Sequence, residues 1–164
     1  MNTRLFLALW PDPAIRHALR EQRDAWTWPR GASPVHADKL HVTLHFLGEV
    51  PSERVPELQA GFAVPFSPFT LSIGLPKIWP HGIAVLEPHT EPPALLELHA
   101  KLSNALVALG LQPEARAYRP HVTLARRAGH AIVPPQSAPL TWQVDGYALV
   151  ESNGGNYTVL EQYS

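Results

Sequence analysis

The chain has 164 residues, 45% of them apolar, a formal net charge of -1 and no cysteine. That length suits one domain, expected to span residues 1–164, with enough chain to bury a real core. Missing cysteine excludes disulfides, thiolate metal sites and a cysteine nucleophile, and a near-zero charge excludes a global basic field that would draw in nucleic acid.

The chain opens with an apolar run, Leu5 to Trp10, closed by Pro11 and Asp12. It is too short for a membrane span and has no small-residue cleavage site beyond it. It reads as a buried first strand, about Arg4–Leu9, in a cytoplasmic protein that makes no membrane contact. Asp12-Pro13 then has the form of a helix start, with Ile15, Leu19, Gln22 and Trp26 at helical spacing. A turn-rich stretch, Trp28–Pro34, leads to a strand over about Leu40–Leu47, closed by Gly48. A short helix follows Ser52, with Val55, Leu58 and Phe62 on one face and Pro56 in its first turn.

Thr70–Leu75 and Ile83–Glu87 read as strands. The clearest helix runs from about Pro93 to Leu109. Leu95, Leu98, Leu102, Leu106 and Leu109 form its apolar stripe, and Gly110 supplies the stop. A second strand of special interest covers about Pro120–Arg126. A Pro- and Gly-rich connection, Ala128–Pro139, follows it. Thr141–Glu151 and Tyr157–Gln162 are expected to close the chain as strands, joined by the turn Asn153-Gly154-Gly155-Asn156. A helix precedes each special strand. The order suggests an α+β fold of two similar lobes around a shared cleft.

What makes those two strands special is a repeated tetrapeptide. His-Val-Thr-Leu occurs at His41–Leu44 and again at His121–Leu124, once in each half of the chain. On a strand, residues i and i+2 share a face. Each copy therefore presents a histidine beside a threonine, with Val and Leu turned to the core. In the first copy His45 extends the polar face and Phe46 falls opposite. In the second, His121, Thr123 and Ala125 share a face, and Arg126 has the wrong parity unless the strand ends or bulges there.

Histidine titrates near pH 6.5, so a pair can hold one neutral and one protonated member near neutrality. That is the requirement for general base and general acid acting together. Opening a cyclic phosphate in line needs a base on the water and an acid on the leaving ribose oxygen, on opposite sides of phosphorus. One histidine per lobe supplies that opposition, and the Thr43 and Thr123 hydroxyls can hold the non-bridging oxygens. No metal or other cofactor is needed. Arg116, Arg119, Arg126 and Arg127 cluster around the second copy and give local positive potential. Arg126 is the best phosphate binder among them, with Arg119 and Arg127 weaker. Phe46 and Trp79 are candidates for stacking on a base, with core packing the favoured role for Phe46 and a loop position expected for Trp79.

The segments LHVTLHFLGE (Leu40–Glu49) and RPHVTLAR (Arg119–Arg126) resemble the 2H phosphoesterase superfamily, and within it the RNA 2′,3′-cyclic phosphodiesterases, or 2′-5′ RNA ligase family. Arg4–Pro11 and Tyr157–Tyr163 are also similar to that family. The resemblance covers nearly the whole chain. It implies a bilobal fold of two antiparallel-sheet lobes, helices outside, with both motifs lining a central groove. It implies opening of a terminal 2′,3′-cyclic phosphate on RNA to a 2′-phosphate, and joining of RNA ends through a 2′-5′ linkage in reverse. By the family pattern His121 is the base and His41 the acid, and Arg126 contacts phosphate. His45 stands where relatives often carry Arg or Lys, and is a further candidate for substrate binding. A monomer is expected, because one chain supplies both motifs. Two other readings remain open on the residues alone: a metal hydrolase using His41, His45 and His121 as ligands, and a binder of RNA ends or nucleotides without turnover. The physiological substrate stays open among tRNA fragments, 2′-5′ oligonucleotides and cyclic ADP-ribose derivatives.

Overall fold

The structure, a computed structural model, describes residues 1–135 and 139–164; within the expected connection Ala128–Pro139, residues 136–138 lie outside the described residues. β1 (Asn2–Leu9) is followed by α1 (Pro13–Asp24). Asp12 caps that helix by accepting from the Ile15 amide at 2.8 Å, and Pro13 sits in its first turn, where no amide hydrogen is needed. β2 (Ser33–Pro34) is a two-residue strand at the end of the turn-rich stretch. β3 (Val42–Pro51) carries the first motif and runs on past Gly48, which was expected to end it. α2 (Val55–Gly61), β4 (Phe69–Trp79), β5 (Ile83–Pro88) and α3 (Pro93–Ala108) follow. β6 (Val122–Arg126) carries the second motif. β7 (Leu140–Val144), β8 (Tyr147–Asn153) and β9 (Asn156–Tyr163) complete the chain.

The strands lie in the order β7-β4-β5-β6-β3-β1-β8-β9, all antiparallel, with β2 beside β6. The stretch Thr141–Glu151 is thus two strands, not the expected one. β7 pairs with β4 at one end of the sheet and β8 pairs with β1 in the other half. The break falls at Asp145-Gly146. Gly146 is needed there because a Cβ would come within 2.2 Å of the Tyr163 carbonyl oxygen. β4 also runs further than expected, so Trp79 closes a strand and does not sit in a loop.

α3 lays Leu95, Leu98, Leu102 and Leu106 into the core, all essentially buried. Each such leucine contributes roughly 1.5–3 kcal/mol of transfer free energy. That core is one apolar cluster drawing on both halves, with Leu5, Leu7 and Leu9 of β1, Leu71 and Ile73 of β4, and Val122 and Leu124 of β6. The opposite face of β1 carries a second, smaller cluster: Phe6, Ala8, Ala148 and Val150, with Trp10, Tyr157 and Val159 packed on it. β1 is buried on both faces, which explains its unbroken apolar run.

Candidate active site

The two motif strands meet at a single pair, Val42 opposite Val122. The same residue of each tetrapeptide thus faces its counterpart across an antiparallel junction, and a local two-fold axis passes between them. One step either way brings His41 toward the Thr123 side and His121 toward the Thr43 side. Both valines are fully buried, as are Leu44 and Leu124. His41, Thr43, His121 and Thr123 are each half-buried on the other face. The strand alternation expected from the sequence holds through these positions.

Beyond them it breaks in the same way twice. In β3, His45 pairs with Leu7 and Thr43 with Ala8, so one step on β1 spans two on β3. In β6, Ala125 pairs with Ala84 and Thr123 with Val85, again two steps against one. Each motif strand bulges at its leucine, and a bulge reverses the side-chain parity beyond it. His45 therefore leaves the histidine–threonine face, contrary to the expectation. It is 4% exposed, its Nε2 is 2.9 Å from the His99 carbonyl of α3, and its ring stacks on that of His99 with centroids 4.0 Å apart. Ala125, its counterpart, is equally buried. Phe46 turns the other way. It is 56% exposed and lies beside Phe6 with centroids 6.2 Å apart, so it is not a core residue. Arg126, also exposed, acquires the parity it lacked.

The imidazoles share one anchoring scheme. His41 Nδ1 is 2.6 Å from the Lys39 carbonyl oxygen and His121 Nδ1 is 2.8 Å from the Arg119 carbonyl oxygen, each two residues upstream. Nδ1 must carry a hydrogen to make that bond. Nε2 is then the atom that gains or loses a proton. In His41 it lies 2.9 Å from Thr43 Oγ1. Burial pushes His41 down to about 4, assisted by the nearby Arg16 and His121 charges, while its carbonyl bond works the other way. His121 is also lowered, by burial first, then by Arg119 and Arg116, against the carbonyl bond and Glu87.

The surroundings differ. His41 stacks on Phe6 at 4.9 Å and Trp10 at 5.7 Å and meets Tyr157 edge-on at 5.7 Å. Arg16 lies over Trp10, 4.9 Å from its centroid, and donates to the Ala37 and Leu40 carbonyls at 2.6 and 3.0 Å. His121 sits against Trp79 at 4.3 Å. Arg119 covers that indole at 4.3 Å and pairs with Glu87 at 2.8 Å. Tyr118 stacks on His99 at 4.0 Å and donates to the Thr43 carbonyl at 2.8 Å. It stays a donor because burial raises its phenol well above the ordinary range. Arg127 is exposed at φ 54, and Arg116 pairs with Glu114 and reaches His121 through its charge.

Phe6, Trp10, Arg16, Glu87 and Tyr157 were not singled out from the sequence. Trp10 and Phe6 carry a signal, since both fall on the non-core parity of β1; the other three carry none. The three-histidine ligand set is not assembled, because His45 is committed to α3. No group of three or more His, Asp or Glu that could hold a metal occurs among the described residues. No described helix is long and apolar enough to cross a membrane. A polar cleft of about 620 Å³ opens elsewhere, at Met1, Arg4, Glu49, Glu151 and Ser152, and includes neither imidazole.

The profile of the 2′-5′ RNA ligase superfamily matches residues 11–156, which include both motifs. The chain belongs to that superfamily. Similar proteins include the RNA 2′,3′-cyclic phosphodiesterase of Thermus thermophilus, 35% identical over 98% of this chain and 89% of the relative. That of Escherichia coli is 30% identical over 98% of this chain and 96% of the relative. The crystal structure of E. coli LigT complexed with 3′-AMP matches with a TM-score of 0.84 at 28% identity, covering 99% of this chain and 97% of that one. Membership agrees with the α+β architecture and its antiparallel sheet, as the motifs had implied.

Proposed function

We propose that this chain is a monomeric, cytoplasmic RNA 2′,3′-cyclic phosphodiesterase that works without metal. A terminal 2′,3′-cyclic phosphate binds between the imidazoles. His121 Nε2 takes a proton from water, the water oxygen bonds to phosphorus, the bond from phosphorus to O3′ breaks, and His41 Nε2 gives a proton to O3′. The product carries a 2′-phosphate and a free 3′-hydroxyl. Thr43 and Thr123 donate to the non-bridging oxygens, and Arg126 and Arg119 add positive potential. A 5′-hydroxyl in place of water gives a 2′-5′ linkage by the same step.

The observation that carries this reading is the matched anchoring of His41 and His121, Nδ1 on a carbonyl two residues back and Nε2 left to titrate. The unlike surroundings support the division of roles. In an in-line opening the nucleoside lies on the leaving-group side and water on the other. The ring-lined flank of His41, with Phe6, Trp10, Tyr157 and the exposed Phe46, suits a nucleoside. The charged flank of His121 suits water. His41 rests neutral in the free protein; a bound phosphate anion beside it favours its cation and lets it enter the reaction as the acid.

The test is product analysis on an oligonucleotide ending in a 2′,3′-cyclic phosphate, in excess EDTA. A 2′-phosphate product at full rate is expected. A 3′-phosphate product, loss of turnover in EDTA, or binding without turnover would each sink the reading.

A further inference from the structure

The charged flank of His121 is organised around one carboxylate. Glu87 lies in β5 one residue past Leu86, which pairs with Val122, so its own place is beside His121. Its side chain is 17% exposed. One oxygen, Oε2, accepts from Trp79 Nε1 at 2.8 Å and from Arg119 Nη2 at 2.8 Å. Trp79 in turn touches both the His121 ring, with centroids 4.3 Å apart, and the Arg119 guanidinium, 4.3 Å from the indole centroid. On the His41 side the cation Arg16 is held by backbone carbonyls and acted on by the Asp38 charge, and among the described residues no carboxylate forms an ion pair with it.

We propose that Glu87 is a positioning residue for His121, clamping the indole against the imidazole and holding the Arg119 charge on the indole face. Two consequences follow. The imidazole, anchored at Nδ1, cannot swing about that bond without moving Trp79, so Nε2 keeps one direction. The guanidinium nearest the base has a carboxylate partner, so its repulsion of the imidazolium is offset. The charged groups acting on His121 are Arg119, Arg116 and Glu87, together with the facing imidazole His41; Glu87 is the only anion among them.

The proposal rests on the phosphodiesterase reading for its kinetic consequences, but its physical content can be tested without turnover. In Glu87→Gln an acceptor oxygen remains and the charge is gone. Titration of His121 followed by NMR should show its pKa lower than in the wild type, and the acid limb of the pH–kcat/KM profile should move down with it. Glu87→Ala also releases Trp79, and kcat should fall about 10- to 100-fold with KM changed little, the scale of a misplaced catalytic group. Glu87→Asp, which keeps the charge, should restore the wild-type titration. An unchanged His121 titration in Glu87→Gln would overturn the proposal, as would loss of thermal stability with wild-type pH profile and kcat. If the wild type shows no turnover, the activity reading fails and the NMR titration alone decides on Glu87.

Discussion

The two His-Val-Thr-Leu copies have nearly the same backbone and quite different neighbours. Both anchor Nδ1 on the carbonyl two residues upstream, both bulge at the leucine, and their valines meet across the junction. One imidazole is stacked among Phe6, Trp10 and Tyr157. The other is packed on an indole bridged by Arg119 and Glu87. On the proposed reading, repetition of the backbone sets two proton carriers in opposition, and the unlike side chains around them decide which does what. A fully symmetric pair would have no reason to place water on one side and a nucleoside on the other.

The strongest way to break this comparison is to remove each imidazole in turn. His41→Ala and His121→Ala should each lower kcat by about 10²–10⁴-fold on a cyclic-phosphate oligonucleotide. They should separate on a substrate whose bridging 3′ oxygen is sulfur. A thiolate leaves without needing a proton, so the His41→Ala defect should shrink greatly while that of His121→Ala persists. The reverse pattern would exchange their roles, and equal defects on both substrates would deny any division of labour.

The third position after each pair, His45 against Ala125, sharpens the comparison through stability. His45 fills its site with a ring stacked on His99 and bonded to the α3 backbone. His45→Ala should cost about 2–3 kcal/mol, from the cavity and the lost bond. It should also change the response to acid. A histidine kept neutral by folding adds stability that is full above its ordinary pKa near 6.5 and is lost as pH falls toward the folded value. Burial lowers His45, and it pushes His99 down to about 4, with the His45 charge adding to the effect. His41 also lies at about 4. Denaturant melts of the wild type should therefore weaken between pH 6.5 and 4. His45→Ala should weaken by less over the same range, because one neutral histidine is gone and His99 is relieved. An identical slope in both proteins would contradict the burial of His45.

The pairs themselves were legible because strand alternation is local. His41 with Thr43 and His121 with Thr123 needed only a period of two, and the leucine stripe of α3 only a helical period. What was not legible depends on register between strands far apart in sequence. The bulges at Leu44 and Leu124 arise from pairing with β1 and β5, and they alone decide that His45 goes inward and Phe46 and Arg126 outward. The split at Asp145-Gly146 likewise reflects two partners, β4 and β1, that a single segment cannot reveal. Glu87 had no signal because its meaning comes from Trp79 and Arg119, brought to it by a hairpin and by the approach to β6.

The smallest effect belongs to the fourth position, Phe46 against Arg126, which the two bulges turn to the same side. One is an exposed ring beside Phe6, the other an exposed cation next to the second copy. Phe46→Ala should raise KM about fivefold, the low end of base–aromatic stacking, with kcat unchanged and little dependence on salt. Arg126→Ala should also raise KM, but its penalty should fade as salt rises, because a phosphate contact is screened and a stacking contact is not. The two salt profiles measured side by side then report on the halves independently. If Phe46→Ala showed the salt-sensitive penalty and Arg126→Ala the flat one, the nucleoside would lie on the His121 flank, and the order of base and acid drawn from the aromatic lining would have to be inverted.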